Sequence, residues 1–556
     1  MSQHNFYQFN TNEHPFFKQK KQPKIKKVYD KKKKIKLTVW WTIGNVIFLA
    51  LYYYFVLPPL NFHSGFSWFF IIMAYVLFLI EYMSVNQIHE FKKINKWLLS
   101  PLIIIISGIF LLNLFFTPIF QAKTFASRIQ VETVGFEEIP DFDPQQTALI
   151  DRESAMIVGD KVMGNITDLV SQFDVSNEYT QISYDNSVYR VTPLVYSGLI
   201  KTFSNMGQGI PAYITVNSVS GEANIVQLEK GMKYTPSAIL DKDLLRHIRF
   251  HYPTEIFGEP SFEIDDEGNP YYVCTTYTFK GVESVRSVTG VILVNAVTGE
   301  THKYKLGEEP TWVDRIFPES LVTEQLNGYG TYQNGFFNSI IGQKGVVVTS
   351  EGYNYLSKNG DIWLYTGITS VNSDASNLGF YLVNLRTHQA QQITVASANE
   401  LAAMETAQGE VMNYGYRATF PTLVKVNNRP YYLLSLKDQA NLVKMYALID
   451  AQNYTQVYVT KASDDVEACL NDLIQQAGGS SEPSLGSEEV TFTINSFQQI
   501  QIDGTTYYYI VDQSNYVYKA EFSDEFALKL LTMQVGDELS CTISTNDGIP
   551  SILKIN

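Results

Sequence analysis

The two residues in this chain with metal-site spacing are His247 and His251, in HIRFH, four apart and therefore on one face of a helix. A zincin would place Glu beside the first of them, at 248, and Ile248 stands there instead. Glu255 is the nearest carboxylate downstream, so a packed or surface helix is the expectation. Glu263, Asp265, Asp266 and Glu267 gather carboxylates that would suit calcium, but without the alternating D-x-D-x-D pattern of a calcium loop, and a solvated hairpin turn is expected. Cys274, Cys469 and Cys541 lie far apart without CxxC spacing, which predicts buried thiols rather than a zinc knuckle or a disulfide framework. There is no G-x-S-x-G elbow, Walker loop or dinucleotide fingerprint in a supporting context. The reading therefore assigns no catalytic residue, no metal and no cofactor.

The elements that must position any site begin with a membrane anchor. Leu37–Val56, Phe66–Met83 and Pro101–Phe120 are apolar runs of spanning length, since about 20 helical residues cross a hydrocarbon core of roughly 30 Å. Trp40, Trp41 and the Tyr52–Tyr54 run supply interfacial aromatics. Glu81 falls in the last turn of the second run and is expected to reach the interface; three short spans with a single carboxylate make a transporter role with Glu81 as its ionisable group the weakest reading. Asn86–Ser100 is read as an amphipathic or connecting segment with Lys92, Lys93 and Lys96.

Charge orients this anchor. Eleven lysines crowd Lys18–Lys36, the loop after the first span has no Lys or Arg, and three more lysines precede the third span. That distribution predicts the N-terminus inside and everything after the third span outside. Beyond the lysine clusters, 28 basic residues face 52 acidic ones, a formal −24 that disfavours nucleic acid and anionic lipid as partners of the large region. The basic tail itself suits anionic headgroups, so membrane lipid is an expected partner.

After an acidic, proline-bearing linker, four strand–turn–strand stretches recur: 214–228, 291–306, 380–395 and 445–459. Their turns open on Asn217, Asn295, Asn384 and Asp450. Each follows a hairpin with Asn, Asp or Gly at its turn, in 183–191, 263–273, 355–365 and 424–434, because such turns need left-handed backbone. Helices are predicted over Asp151–Met163, Ser237–Phe250, Trp312–Leu326 and Asn399–Val411, with a fifth over Ser463–Gln476. The tail after Gly478–Ser487 alternates as five short strands with a helix at DEFALKLL, which predicts a small OB-type barrel without a nucleic-acid groove.

The turns NAVTGE at Asn295–Glu300 and NSVSGE at Asn217–Glu222 carry a resemblance to the PepSY domain, an exported bacterial module in which a helix precedes a three-stranded antiparallel sheet closing on a D-A-x-T-G-E turn. Asn stands here where the family commonly has Asp. The resemblance marks Asn217, Gly221, Glu222, Asn295, Thr298, Gly299 and Glu300 as the turn motif. It implies a binding or inhibitory module at the cell envelope, of the kind that regulates peptidases.

The expected architecture is α+β: a basic tail (1–36), three transmembrane helices (37–120), a linker (121–148), tandem helix-plus-antiparallel-sheet units (149–230, 231–308, 309–396, 397–477), a second linker (478–487) and a small OB-like β-barrel (488–556). The expected function is a multi-pass membrane protein with an exocytoplasmic binding or scaffolding region whose partner is an envelope protein or wall polymer. The alternative is a membrane-tethered hydrolase acting on peptide or cell wall.

Overall fold

A computed structural model describes residues 31–88, 96–139, 141–144, 146–164, 166–185, 187–371, 376–463, 465–478, 487–502, 505–521, 529, 532–544 and 550–555. The fold is α+β and divides into two compact units: Met1–Leu114 with Tyr252–Glu255 and Phe279–Ser284, and the remainder of the chain. The tail up to 30, residues 89–95 of the Asn86–Ser100 segment, residues 479–486 of the Gly478–Ser487 linker and most of DEFALKLL lie outside the described residues.

In the first unit, α1 (Lys31–Val56), α2 (Gly65–Val85) and α3 (Lys96–Phe115) are each long and apolar enough to cross a membrane. The helix α1 takes in the end of the lysine run. The third apolar run does not continue to Phe120: α3 stops at Phe115 and a new helix, α4 (Pro118–Ala126), follows in the second unit. Thr117 is extended (φ −79°, ψ 160°), as a residue before proline prefers, and Pro118 has no N–H to continue the ladder. Tyr52 stacks on Phe70, with ring centroids 5.8 Å apart, where α1 meets α2. Glu81 accepts hydrogen bonds from α1: Thr42 Oγ1 donates to it at 2.9 Å and Asn45 Nδ2 at 3.0 Å.

The second unit holds four sheets that share an antiparallel pattern, in which two short strands pair with one end each of a long strand and two further strands follow. In sheet one, Phe173–Val175 and Thr180–Tyr184 pair with Ser187–Tyr196, then Ile210–Asn217 and Ala223–Met232. Sheet two repeats this around Pro270–Lys280, sheet three around Asp361–Ser370, and sheet four around Arg429–Lys437. The hairpin turns carry the left-handed residues their composition predicts: Asp185, Gly268, Asn359 with Gly360, and Asn427 with Asn428. Helix Glu400–Glu410 packs Ala403 and Ala407 into one apolar core with Tyr365 and Phe380 of sheet three and Tyr432 and Leu434 of sheet four. Small alanines let the helix lie close between two sheets, where a larger side chain would overpack.

Several predicted boundaries move. The helix expected over Ser237–Phe250 is α-helical only at Leu244–His251, because Leu240 has a positive φ of 58°. The helix expected over Trp312–Leu326 runs over Glu319–Tyr332 and starts after Pro318, which suits a helix entry better than a helix interior. The expected linker is partly built into the sheets: Val131–Val134 pairs in parallel with Ala390–Ile393 of sheet three, and Ile139 is buried in the core between sheets three and four.

At the C-terminal end, the strand Ser487–Ile502 pairs with Thr505–Asp512 along one half and Glu538–Ser544 along the other. Val517–Glu521 and Ile552–Ile555 complete a five-stranded half-barrel sheet.

Candidate functional site

The turns singled out from sequence share one geometry. Asn295 Oδ1 accepts from the backbone N–H groups of Val297 and Thr298, at 3.0 and 2.9 Å, and Asn217 Oδ1 accepts likewise from Val219 and Ser220. Asn384 and Asp450 do the same for Arg386 with Thr387 and for Gln452 with Asn453. Thr298 Oγ1 accepts from Glu300 N, and Gly221 and Gly299 take φ of 76° and 78°. These residue types therefore follow from turn geometry: an acceptor oxygen to open it, a hydroxyl to brace it, and glycine where φ is positive. The Glu222 and Glu300 side chains are exposed and bond only near neighbours, Asn224 and His302.

The histidine pair supports one of these turns. His247 Nε2 donates to Gly299 O at 2.7 Å, its ring centroid lies 4.4 Å from that of Tyr234, and burial pushes its pKa below the ordinary value. His251 Nδ1 donates back to His247 O at 2.8 Å. Among the described residues, no three His, Cys, Asp or Glu side chains converge as a metal site would require. Cys274, Cys469 and Cys541 are buried free thiols.

The acidic turn differs from expectation. Asp266 and Glu267 are exposed, but Asp265 is buried, its Oδ1 accepting from the Glu267 and Asn269 N–H groups, and Glu263 is wholly buried. Glu263 points to the opposite side of the strand from Ile264 and meets the segment that leads into helix Glu319–Tyr332. It accepts from Ser261 Oγ and from Asp314 N, both at 3.0 Å. Burial raises its carboxyl to about 6, against the partial relief of those hydrogen bonds. Asp314 is also buried, accepts from Ser183 N at 2.6 Å, and is pushed well above the carboxylate range by burial and then by the Glu263 charge. Three sheets or their connections thus meet through one polar chain: Ser183, Asp314, Glu263.

Beside it, Arg315 grips Glu319 with Nε at 3.0 and 3.1 Å from the two carboxylate oxygens, and Tyr355 donates to Glu319 at 2.8 Å. Burial opposes the Glu319 charge, but the Arg315 guanidinium outweighs it and holds the carboxyl below its usual value.

Asp314 also lines a cleft of about 540 Å³. Its walls come from the sheet-one turn (Tyr184, Asp185), the sheet-two turn (Asp266), the connecting segment (Trp312) and the sheet-three turn (Gly360). Trp312 is braced by Tyr271, ring centroids 5.0 Å apart. Three carboxyl-bearing side chains and two aromatic ones line this cleft, and none of its lining residues is basic. Such a lining suits a cationic group, which gains from both carboxylates and aromatic faces. Asp266 was singled out from the sequence but Asp314 and Trp312 were not; the available signal was an acid two residues after a Trp, just before Pro318. A second, more open cavity of about 580 Å³ involves Asn217 and Ser220 of the first turn and Asp465 at the start of helix Val466–Gln476.

No family model matches the chain, and no curated protein matches it. Among solved structures, it is similar to an exo-1,5-alpha-L-arabinanase from a bovine ruminal metagenomic library at 9% identity, covering 68% of this chain and 98% of that one, with a TM-score of 0.17. An endo-arabinase from Bacteroides thetaiotaomicron follows at 10% identity, 67% and 95% coverage and a TM-score of 0.18. A B. megaterium levansucrase mutant gives 8% identity, 77% and 95% coverage and 0.19. Likeness at these scores carries no argument about what this chain does.

Proposed function

We propose that this protein is a membrane-anchored, exocytoplasmic binding or scaffolding protein, and that the cleft walled by Asp185, Asp266 and Trp312 takes an amine-bearing group of an envelope protein or wall polymer. The observation that carries this reading is the cleft itself: turns from three sheets converge on one concave surface with acidic and aromatic walls. In this reading the sheets are tandem PepSY-like units, a view supported by their common strand order and by the shared acceptor at Asn217, Asn295, Asn384 and Asp450. The half-barrel sheet is an OB-like barrel, supported by a parallel bridge between Lys519 and Ser551 that joins the two ends of its strand path.

Exocytoplasmic placement rests on the lysine distribution. It is supported within the first unit, where the lysine-free loop after α1 bonds to segments from beyond α3: Leu60 N to Pro253 O at 2.7 Å, Asn61 Nδ2 to Thr254 O at 2.9 Å, and Glu283 N to His63 O at 3.0 Å. Groups that touch one another lie on one side of a bilayer. The hydrolase alternative is disfavoured by the buried pair, because the oxygens of Glu263 and Asp314 are engaged by a Ser hydroxyl and main-chain N–H groups rather than offered to a substrate.

The test uses the detergent-solubilised full chain as bait against solubilised envelope, beside an Asp185→Asn/Asp266→Asn variant. Capture of an envelope protein or amine-bearing polymer by the native chain, lost in the variant, is expected. Equal capture by both removes the cleft from the reading, and protection of the acidic region from protease on intact cells but not on lysed cells would place it in the cytosol.

A further inference from the structure

The second unit presents an apolar surface in an unexpected place. Phe337, Ile340 and Ile341 are 70%, 58% and 81% exposed, on and just before a π-helical turn at Asn338–Gly342. They sit in a stretch, 325–343, without a single Asp, Glu, Lys, Arg or His, within a region of formal charge −24. Solvent-facing loops of an acidic domain are ordinarily charged, and an uncharged stretch with three exposed large apolar side chains signals a non-aqueous neighbour.

The packing of α4 on helix Glu319–Tyr332 says which neighbour. Arg128, just past α4, pairs with Glu324 at 2.6 Å, and Phe125 meets Tyr332 with ring centroids 6.0 Å apart. The later residue of one segment thus contacts the earlier residue of the other, so the two run antiparallel. A Cβ on Gly328 would lie 2.9 Å from Phe125 O, so glycine is what permits this close approach. The C-terminal end of helix Glu319–Tyr332 therefore lies on the side of the start of α4, where Ile119 and Phe120 are themselves exposed. That start is joined to α3 through Phe116 and Thr117 alone, and three residue steps of extended chain reach about 10 Å at most. A headgroup layer is roughly 5–8 Å thick, so the start of α4 cannot stray far from the membrane surface.

We propose that Phe336–Ile341, together with Ile119 and Phe120, forms a membrane-interface anchor that dips into the leaflet from which α3 emerges. The occupant of this apolar surface is the bilayer that α1–α3 cross. The anchor fixes the second unit to the lipid surface at a point other than its covalent tether, and three exposed aromatic and aliphatic side chains on an uncharged loop have the character of interfacial insertion.

The full chain carrying Ile341→Cys, labelled with an environment-sensitive fluorophore and reconstituted in lipid nanodiscs, tests this. Tyr516→Cys, an exposed position in the C-terminal sheet, serves as reference, and the unlabelled reactivity of the buried native cysteines is the blank. Blue-shifted emission, with quenching by headgroup-region spin-labelled lipid about threefold stronger than at 516, is expected for an interfacial site. Emission and quenching equal to those at 516 overturn the proposal. A blue shift that is insensitive to labelled lipid but grows with the number of copies per disc also overturns it, because the surface would then meet a second copy of the chain.

Discussion

The backbone N–H of Asp314 donates to Glu263 Oε2 at 3.0 Å, so one buried carboxylate is held by the main chain that carries another. Both carboxyls are raised in the folded protein, Glu263 to about 6 from an ordinary 4.5. The folded state therefore binds these protons more tightly than the unfolded chain, and the stabilisation is complete below about pH 4.5 and lost as pH rises through about 6. For Glu263 alone the loss is about 2 kcal/mol. Melting temperatures of the solubilised protein should fall between pH 5 and 7.5, and Glu263→Gln should flatten that fall while melting no lower than the native chain at pH 7.5.

At the turn joining the last two strands of sheet two, what matters is an acceptor oxygen at position 295. Asn295→Ala removes the acceptor for two N–H groups and should cost about 1–2 kcal/mol in denaturant unfolding. Asn295→Asp should cost under about half of that, because Asp450 already makes the same two bonds in sheet four. Equal losses from both substitutions would mean that the amide nitrogen, not the oxygen, is the group that counts.

Asn113 near the end of α3 exchanges two hydrogen bonds with Val282, its Nδ2 donating at 3.0 Å and its Oδ1 accepting at 2.8 Å. Asn113→Leu would leave a carbonyl and an N–H without partners, at about 1–3 kcal/mol. Amide exchange at Val282 should accelerate on the order of tenfold or more in that variant, measured by hydrogen–deuterium exchange.

His388 occupies the left-handed position of the third turn, φ 64°, stacked on Phe317 with ring centroids 4.1 Å apart. Burial pushes its pKa down to about 4 from 6.5, so the folded protein keeps it neutral while the unfolded chain takes up a proton. Stability from this group is intact above about pH 6.5 and declines as pH falls toward 4, by on the order of 3 kcal/mol at the acid limit. This is the opposite sign to Glu263. His388→Asn, which tolerates the positive φ, should lose about 1 kcal/mol at pH 7.5 with the stack but show a shallower acid decline.

Local chemistry made part of this molecule readable before its structure. The apolar runs, the Asn and Gly turns and the alternating strands each impose a requirement within a few residues, and Asn359–Gly360 or Asn295 meets it visibly in sequence. What stayed hidden depends on partners far along the chain. Glu263 looks like a solvated turn carboxylate until Asp314, 51 residues later, covers it, and VETV at 131–134 looks like linker until Ala390–Ile393 supplies its pairing edge. The early ending of α3 was legible in Thr117–Pro118, where the run of apolar letters concealed a backbone stop.

The parallel pairing of Val131–Val134 with Ala390–Ile393 also sets a timetable for biogenesis. At a synthesis rate of about 5–20 residues per second, the partner strand emerges roughly 13–50 seconds after the first one has appeared. Throughout that interval the nascent polypeptide holds an orphaned β-edge just beyond α4, so a holding chaperone would be most needed then, and a ribosome stalled before codon 390 would leave the edge open to aggregation.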